Sequence, residues 1–178
     1  VYVGGDAVVT DDIEVILNAE KVVLPGVGAF GDGIKGLEER GFVTVLKKVA
    51  AKGTPLLGIC LGMQLFFDSS TELGRYQGLG LIPGEVVLFE GVDVKVPQIG
   101  WNQLLLEKES PLLRNMNEGD YVYFNHSYYC VPADEADVLT STEYGIRYCS
   151  SVQRANIYGV QFHPEKSGAS GLKLLENF

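Results

Sequence analysis

The sequence predicts an α/β domain in which a mainly parallel sheet is covered by helices on both faces. Three observations predict it. Up to residue 67, apolar and β-branched strand segments alternate with segments of helical periodicity, which is the pattern of parallel strands joined by crossover helices. Two of those strands, 21–24 and 55–59, run directly into glycine-bearing turns. Ligands in such sheets bind beyond the carboxyl ends of the strands, so the two turns can share one crevice. From residue 79 onward short strand segments follow one another with turn residues between them, so the C-terminal half carries a smaller, partly antiparallel portion.

Taken in order, residues 7–10 (Ala-Val-Val-Thr) read as a short strand, and Asp11 and Asp12 as caps of a helix over 13–18. Residues 21–24 form a strand buried on both faces, ending in Pro25-Gly26-Val27-Gly28. Helices are expected at 34–40 and 42–52, a strand at 55–59, and a helix from Cys60 to Phe67. Strands then read at 86–89, 95–98, 102–106, 121–125, 138–141, 148–153 and 157–161. The closing segment 167–178 is an amphipathic helix, with Leu172, Leu175 and Phe178 on one face and Ser167 as N-cap. The 178 residues fit one domain over 1–178, and a chain of that size buries roughly 70% of its unfolded surface. Because the sequence starts at Val1, where a helix-to-strand connection reads as ending, an N-terminal strand and helix are expected to be lacking.

Charge and composition exclude several classes. A net charge of −9 argues against a nucleic-acid or anionic-membrane surface, which needs clustered Lys and Arg. No apolar run is long enough to span a bilayer, and no signal peptide is evident. Cys60, Cys130 and Cys149 are odd in number and widely spaced, which reads as reduced thiols in a cytoplasmic protein. No Cys/His spacing suggests zinc, and no metal or other cofactor is expected.

The chemistry centres on Gly58-Ile59-Cys60-Leu61-Gly62, a G-x-C-x-G nucleophile elbow between strand and helix. The flanking glycines leave room for a tight turn. The helix N-terminus that follows is expected to favour the thiolate. The same pattern also suits a free cysteine buried at the end of a core strand. Only two histidines can serve as base. His163 stands in Phe162-His163-Pro164-Glu165, where Pro164 biases it to an extended conformation and Glu165, two residues on, projects to the same side. Cys60, His163 and Glu165 therefore read as nucleophile, base and orienting carboxylate, with a structural His–Glu pair as the alternative. His126 could be the base instead, but it has no carboxylate at that spacing and reads as a residue supporting the site or an interface, with a satisfied structural histidine as the alternative. The oxyanion donors would be the Leu61 N–H and an N–H of the Val27–Gly28 loop, although that loop also suits a plain strand-to-helix turn.

With these residues placed, the chain resembles the class I (triad) glutamine amidotransferases over nearly its whole length. Within that class it looks most like the glutaminase subunits of imidazole glycerol phosphate synthases. The likeness rests on Leu24–Phe30, Gly58–Gln64, Gly78–Ile82, Ile99–Asn102 and Phe162–Ser167. It implies a three-layer α/β/α fold and hydrolysis of glutamine through a γ-glutamyl thioester on Cys60. It also implies that Gly26, Gln64, Glu72, Ser127 and Tyr128 hold glutamine, and that Trp101, Asn102, Tyr123 and Lys166 lie towards a (β/α)8 cyclase subunit. Ammonia would pass to that partner in a heterodimer, with Pro25–Gly28 as the element that moves on activation. The sequence departs from the family by lacking a D-Y-G-x-G-N-like start, by Gln98 where a histidine is expected, and by Asn125 beside His126. Glutaminase subunits for anthranilate, aminodeoxychorismate or pyridoxal phosphate synthesis, and an inactive regulatory scaffold, are the other readings of the same motifs.

Overall fold

The computed structural model describes residues 3–178, so the connection read at Val1 begins outside the described residues. Residues 7–10 are not a strand: they join no ladder among the described residues, and Val8 and Val9 are exposed. Their β propensity finds no neighbouring ladder to satisfy it. Asp12 caps α1 (Ile13–Leu17) as read, its Oδ1 accepting from the Glu14 N–H at 2.8 Å. β1 (Val22–Gly26) follows, then α2 (Phe30–Glu39) and α3 (Phe42–Ala51), then β2 (Leu56–Cys60). Helix α2 begins four residues before the expected start, because Phe30 and Ile34 both face the core one turn apart.

The elbow helix α4 (Leu61–Gln64) is a single turn rather than a helix to Phe67. Phe67, expected as the last residue of that helix, instead opens β3 (Phe67–Ser70). Phe66 and Phe67 are both fully buried, and such a short apolar run does not separate a buried strand from a buried helix by periodicity. The remaining strands are β4 (Tyr76–Gln77), β5 (Ile82–Leu88), β6 (Gln98–Gln103), β7 (Leu105–Leu106), β8 (Tyr121–His126), β9 (Tyr128–Pro132), β10 (Val138–Tyr144), β11 (Ile146–Arg154) and β12 (Ile157–Val160). Strand β9 was not anticipated. It sits one residue beyond β8, where the sequence predicts only the strand at 121–125, and Ser127 redirects the chain from one sheet to the other.

The main sheet runs β1-β2-β12-β11-β9-β5-β3-β4, with β10 also beside β11 and β7 on the far side of β10. Its parallel part holds β1, β2 and β12, with Gly26 opposite Cys60 and Val160 opposite Ile59. Parallel pairing recurs at β3–β5, while β11, β9 and β5 pair antiparallel. Leu56 and Leu57 point to opposite faces, and each face has its own core. On one face α1 to α3 pack with Phe30, Val49, Phe66 and Ile82; on the other α5 (Gly168–Asn177) packs with Leu112, Phe124 and Phe162. The two-stranded sheet β6–β8 lies on this second side. Helix α5 turns Leu174 inward with Leu175 and Phe178 against the core, whereas Leu172 is exposed. Ser167 stands at the N-cap position but makes no capping bond, because its hydroxyl is engaged elsewhere.

Candidate active site

Strand β2 ends in Cys60, which sits at φ 54° and ψ −112°, a conformation that L residues rarely adopt. The flanking glycines explain how it is held. A Cβ on Gly58 would lie 2.6 Å from the Gly62 carbonyl carbon and the Met63 nitrogen, and one on Gly62 would lie 1.8 Å from the Leu24 carbonyl oxygen. Both glycines are needed for space, so the strained cysteine is over-determined by its surroundings, as strain at reactive sites generally is.

The adjacent parallel strand β12 delivers the base. Three residues past Val160 the chain reaches His163, whose ring is buried and whose Nδ1 lies 2.9 Å from Glu165 Oε1. Since a carboxylate accepts, Nδ1 donates to it and Nε2 is left free to take a proton. The backbone of His163 is clamped on both sides. Its N–H donates to the Tyr123 carbonyl at 2.9 Å, and its carbonyl accepts from Ser167 Oγ at 2.6 Å, while the Ser167 hydroxyl itself accepts from the Tyr123 N–H at 2.9 Å. This is why Ser167 does not cap α5.

Cys60 and His163 line one cavity of about 320 Å³, together with Val27, Gly28, Leu61, Gln64, Glu72, Pro97, Asn125, His126, Ser127, Tyr128 and Lys166. Gly28 takes φ 99°, available to glycine without strain. Glu72 is anchored by the Phe30 N–H, which donates to its Oε2 at 2.7 Å at the start of α2. Gln64 is buried, its Nε2 donating to the Tyr128 carbonyl at 3.2 Å. Gly26 is not on the cavity wall; it packs beneath the elbow, where a Cβ would stand 3.1 Å from Leu61 Cβ. His126 is buried and donates from Nδ1 to the Tyr128 carbonyl at 2.8 Å; burial pushes it down to about 4, so it stays neutral.

The thiol departs from expectation. Burial pushes Cys60 up to about 11 from 9.0, outweighing the lowering by the Leu61 N–H and the Gln161 amide. The one-turn α4 cannot supply the field of a long helix, and the strand-end position that tightens the elbow also dries it. The sign is definite: the neutral thiol dominates at neutral pH, and the two-unit rise lowers the thiolate fraction there about a hundredfold. Carbamidomethylation of Cys60 by iodoacetamide, followed by peptide mass, is expected to keep rising with pH beyond 9. A plateau below pH 9 would contradict it.

The residues assigned to a partner divide. Trp101 is 55% exposed and stacks edge-on with Tyr123 at 6.2 Å, and Lys166 Nζ stands 5.9 Å over the Tyr123 ring. Asn102 is on the other side of β6 and is used internally, donating to the Glu143 carbonyl at 2.8 Å. Ile99 and Tyr121 complete the outward apolar face beside Trp101 and Tyr123. The sequence reading missed Gln161, whose amide reaches Cys60 Sγ at 3.7 Å. The available signal was its place two residues before His163 in an extended segment, the alternation that also located Glu165.

Comparisons with known proteins bear on the family and the fold. The model of the family described as glutamine amidotransferase class-I matches residues 7–178. The imidazole glycerol phosphate synthase subunit HisH of Aquifex aeolicus (strain VF5) is 54% identical over 173 residues, spanning 97% of this chain and 83% of that protein. The subunit of the same name from Geobacter sulfurreducens is 48% identical over 182 residues, spanning 99% and 87%. Among solved structures, a glutamine amidotransferase superposes with TM-score 0.70 at 19% identity over 94% of this chain and 84% of its own. PurLQS from Thermotoga maritima gives 0.69 at 20% identity over 89% and 77%; both are likenesses of fold.

Proposed function

The chain belongs to the class I glutamine amidotransferase family, and from that premise we propose that it is the glutaminase subunit of an imidazole glycerol phosphate synthase, working in the cytoplasm in histidine biosynthesis. The observation that carries the reading is the strained Cys60 in one cavity with the Glu165-oriented His163. The 45–54% identity to relatives of that name supports the choice of synthase.

Glutamine enters with its side-chain amide at Cys60 and its amino-acid end among Gln64, Glu72, Ser127 and Tyr128. The Cys60 proton passes to His163 Nε2 as the sulfur attacks the amide carbon. The oxyanion meets the Leu61 N–H and an N–H from the Val27–Gly28 loop. His163, held by Glu165, returns the proton to the departing nitrogen, and ammonia leaves a γ-glutamyl thioester. His163 then deprotonates a water that attacks the thioester. Glutamate departs, and the proton restores the Cys60 thiol.

Ammonia passes to a (β/α)8 cyclase subunit, which makes imidazole glycerol phosphate and an aminoimidazole carboxamide ribonucleotide. The face formed by Ile99, Trp101, Tyr121 and Tyr123 supports such a partner: exposed apolar area rimmed by polar residues marks a docking surface. It also adjoins the cavity, since Asn125 and Lys166 line that cavity and Tyr123 clamps His163 through its backbone. The high-lying thiol suits an enzyme that stays slow until the partner docks. Glutamine hydrolysis is therefore expected to rise at least tenfold when the cyclase subunit and its nucleotide substrate are added, by the usual scale of coupling between sites. Trp101→Ala, losing an exposed aromatic anchor, is expected to weaken the complex by about 2 kcal/mol in titration calorimetry. Equal glutaminase rates with and without the partner would overturn the coupling.

A further inference from the structure

Gln161 is fully buried between the nucleophile and the wall where glutamine is seated, and the steps above do not use it. Its amide orientation follows from its neighbours. The Tyr128 carbonyl can only accept, so Gln64 must present Nε2 to it. That same Nε2 donates its second hydrogen at 3.0 Å, so Gln161 must present Oε1 to Gln64. Gln161 Nε2 is thereby turned to Cys60 Sγ at 3.7 Å, a distance suited to the large sulfur atom. The backbone is fixed as well, because the Gln161 N–H donates to the Ser150 carbonyl at 2.9 Å. Two amides in series thus connect a carbonyl on the cavity wall to the reacting sulfur.

We propose that Gln161 is a further catalytic residue, whose amide N–H holds and stabilises the Cys60 sulfur as its proton leaves and ties that hold to the Gln64–Tyr128 wall. This rests on the glutaminase reading of the cavity. A neutral thiol is a weak acceptor and a thiolate a strong one, so the bond strengthens as the nucleophile forms. An interaction stronger at that point than in the resting state accelerates the step. The hydrogen bond itself is short-range, so a partner or substrate that shifts Gln64 also shifts the donor aimed at the sulfur.

The test is Gln161→Met, which keeps most of the volume and removes the N–H donor. In the chain alone, carbamidomethylation of Cys60 at pH 8.5 is expected to slow about tenfold, the scale of one hydrogen bond to a charged group. In the complex with the cyclase subunit, kcat is expected to fall about ten- to a hundredfold, with KM changed less than about threefold. A role confined to packing moves alkylation the other way, because a loosened core exposes the buried thiol. An alkylation rate equal to or faster than wild type therefore overturns the proposal. Should Gln161→Met not fold, Gln161→Glu keeps the shape and the acceptor without the donor, and the same slowing is expected. If the wild-type complex hydrolyses no glutamine, the glutaminase reading fails, while the alkylation ratio still decides the role of Gln161.

Discussion

Cys60→Ala is expected to abolish glutamine hydrolysis while leaving ammonia-dependent synthesis by the assembled synthase at the wild-type level. In the proposed mechanism the sulfur is the atom that bonds to the substrate carbon, and no second thiol lines the cavity: Cys130 and Cys149 are buried elsewhere in the sheet. Deleting a nucleophile of this kind costs about a millionfold in kcat, which places residual activity below detection in a coupled glutamate assay. The partner's own chemistry needs only ammonia, so supplying ammonium salt separates the two functions. Alanine keeps the positive φ of Cys60, so the elbow stays strained. Cys60→Gly relieves that strain and is expected to be more stable than Cys60→Ala by about 1 kcal/mol in thermal melting. Glutaminase activity surviving in Cys60→Ala would refute the assignment of the nucleophile.

Gly62→Ala carries the second large effect, and it acts through space rather than chemistry. The added methyl would stand 1.8 Å from the Leu24 carbonyl oxygen and 2.9 Å from its carbon. Those are backbone atoms of β1, which is hydrogen-bonded to β2 along its length, so no rotamer change can clear them. The elbow or the β1–β2 pairing must open. A loss of about 3 kcal/mol is expected, or roughly 6–12 °C in Tm for a domain of this size, with glutaminase activity lost because Cys60 is displaced. The control is Gly36→Ala in α2, where the nearest atom is the flexible end of Arg40 at 3.5 Å. There alanine improves helix propensity and is expected to be neutral or stabilising by up to about 1 kcal/mol. A Gly62→Ala protein that melts with the wild type and keeps its activity would remove the steric account of the elbow.

What was legible in the sequence was local. Gly58, Cys60 and Gly62 within five residues specify a turn that only glycines can flank, and His163 with Glu165 two residues on specifies a shared side in an extended segment. Asp12 was legible as a cap because the capping bond closes within three residues. Elements whose identity depends on distant partners were not. Phe67 begins a strand rather than continuing a helix because β5 lies beside it, and residues 7–10 find no ladder among the described residues. Ser127 divides two strands because they belong to different sheets. Asn102 reads as facing a partner and Ser167 as a helix cap, yet the Asn102 amide donates to the Glu143 carbonyl and the Ser167 hydroxyl accepts from the Tyr123 N–H, both far along the chain.

The sequence by itself singled out Cys60, His163 and Glu165, because spacing along a strand or turn decides which side chains can share a side; the roles of nucleophile, base and orienting carboxylate are those proposed above. Only the tertiary structure decided that the thiol is held high and that Gln161 stands against it. It also decided that the aromatic face on β6 and β8 connects to His163 through the Tyr123 backbone. Those three depend on burial and on the side-by-side placement of segments distant in the chain. The physical reason is that desolvation and hydrogen bonding are properties of neighbours in space. The opening stretch alone would have favoured a thiolate; the packed strands around it favour a thiol that waits for His163.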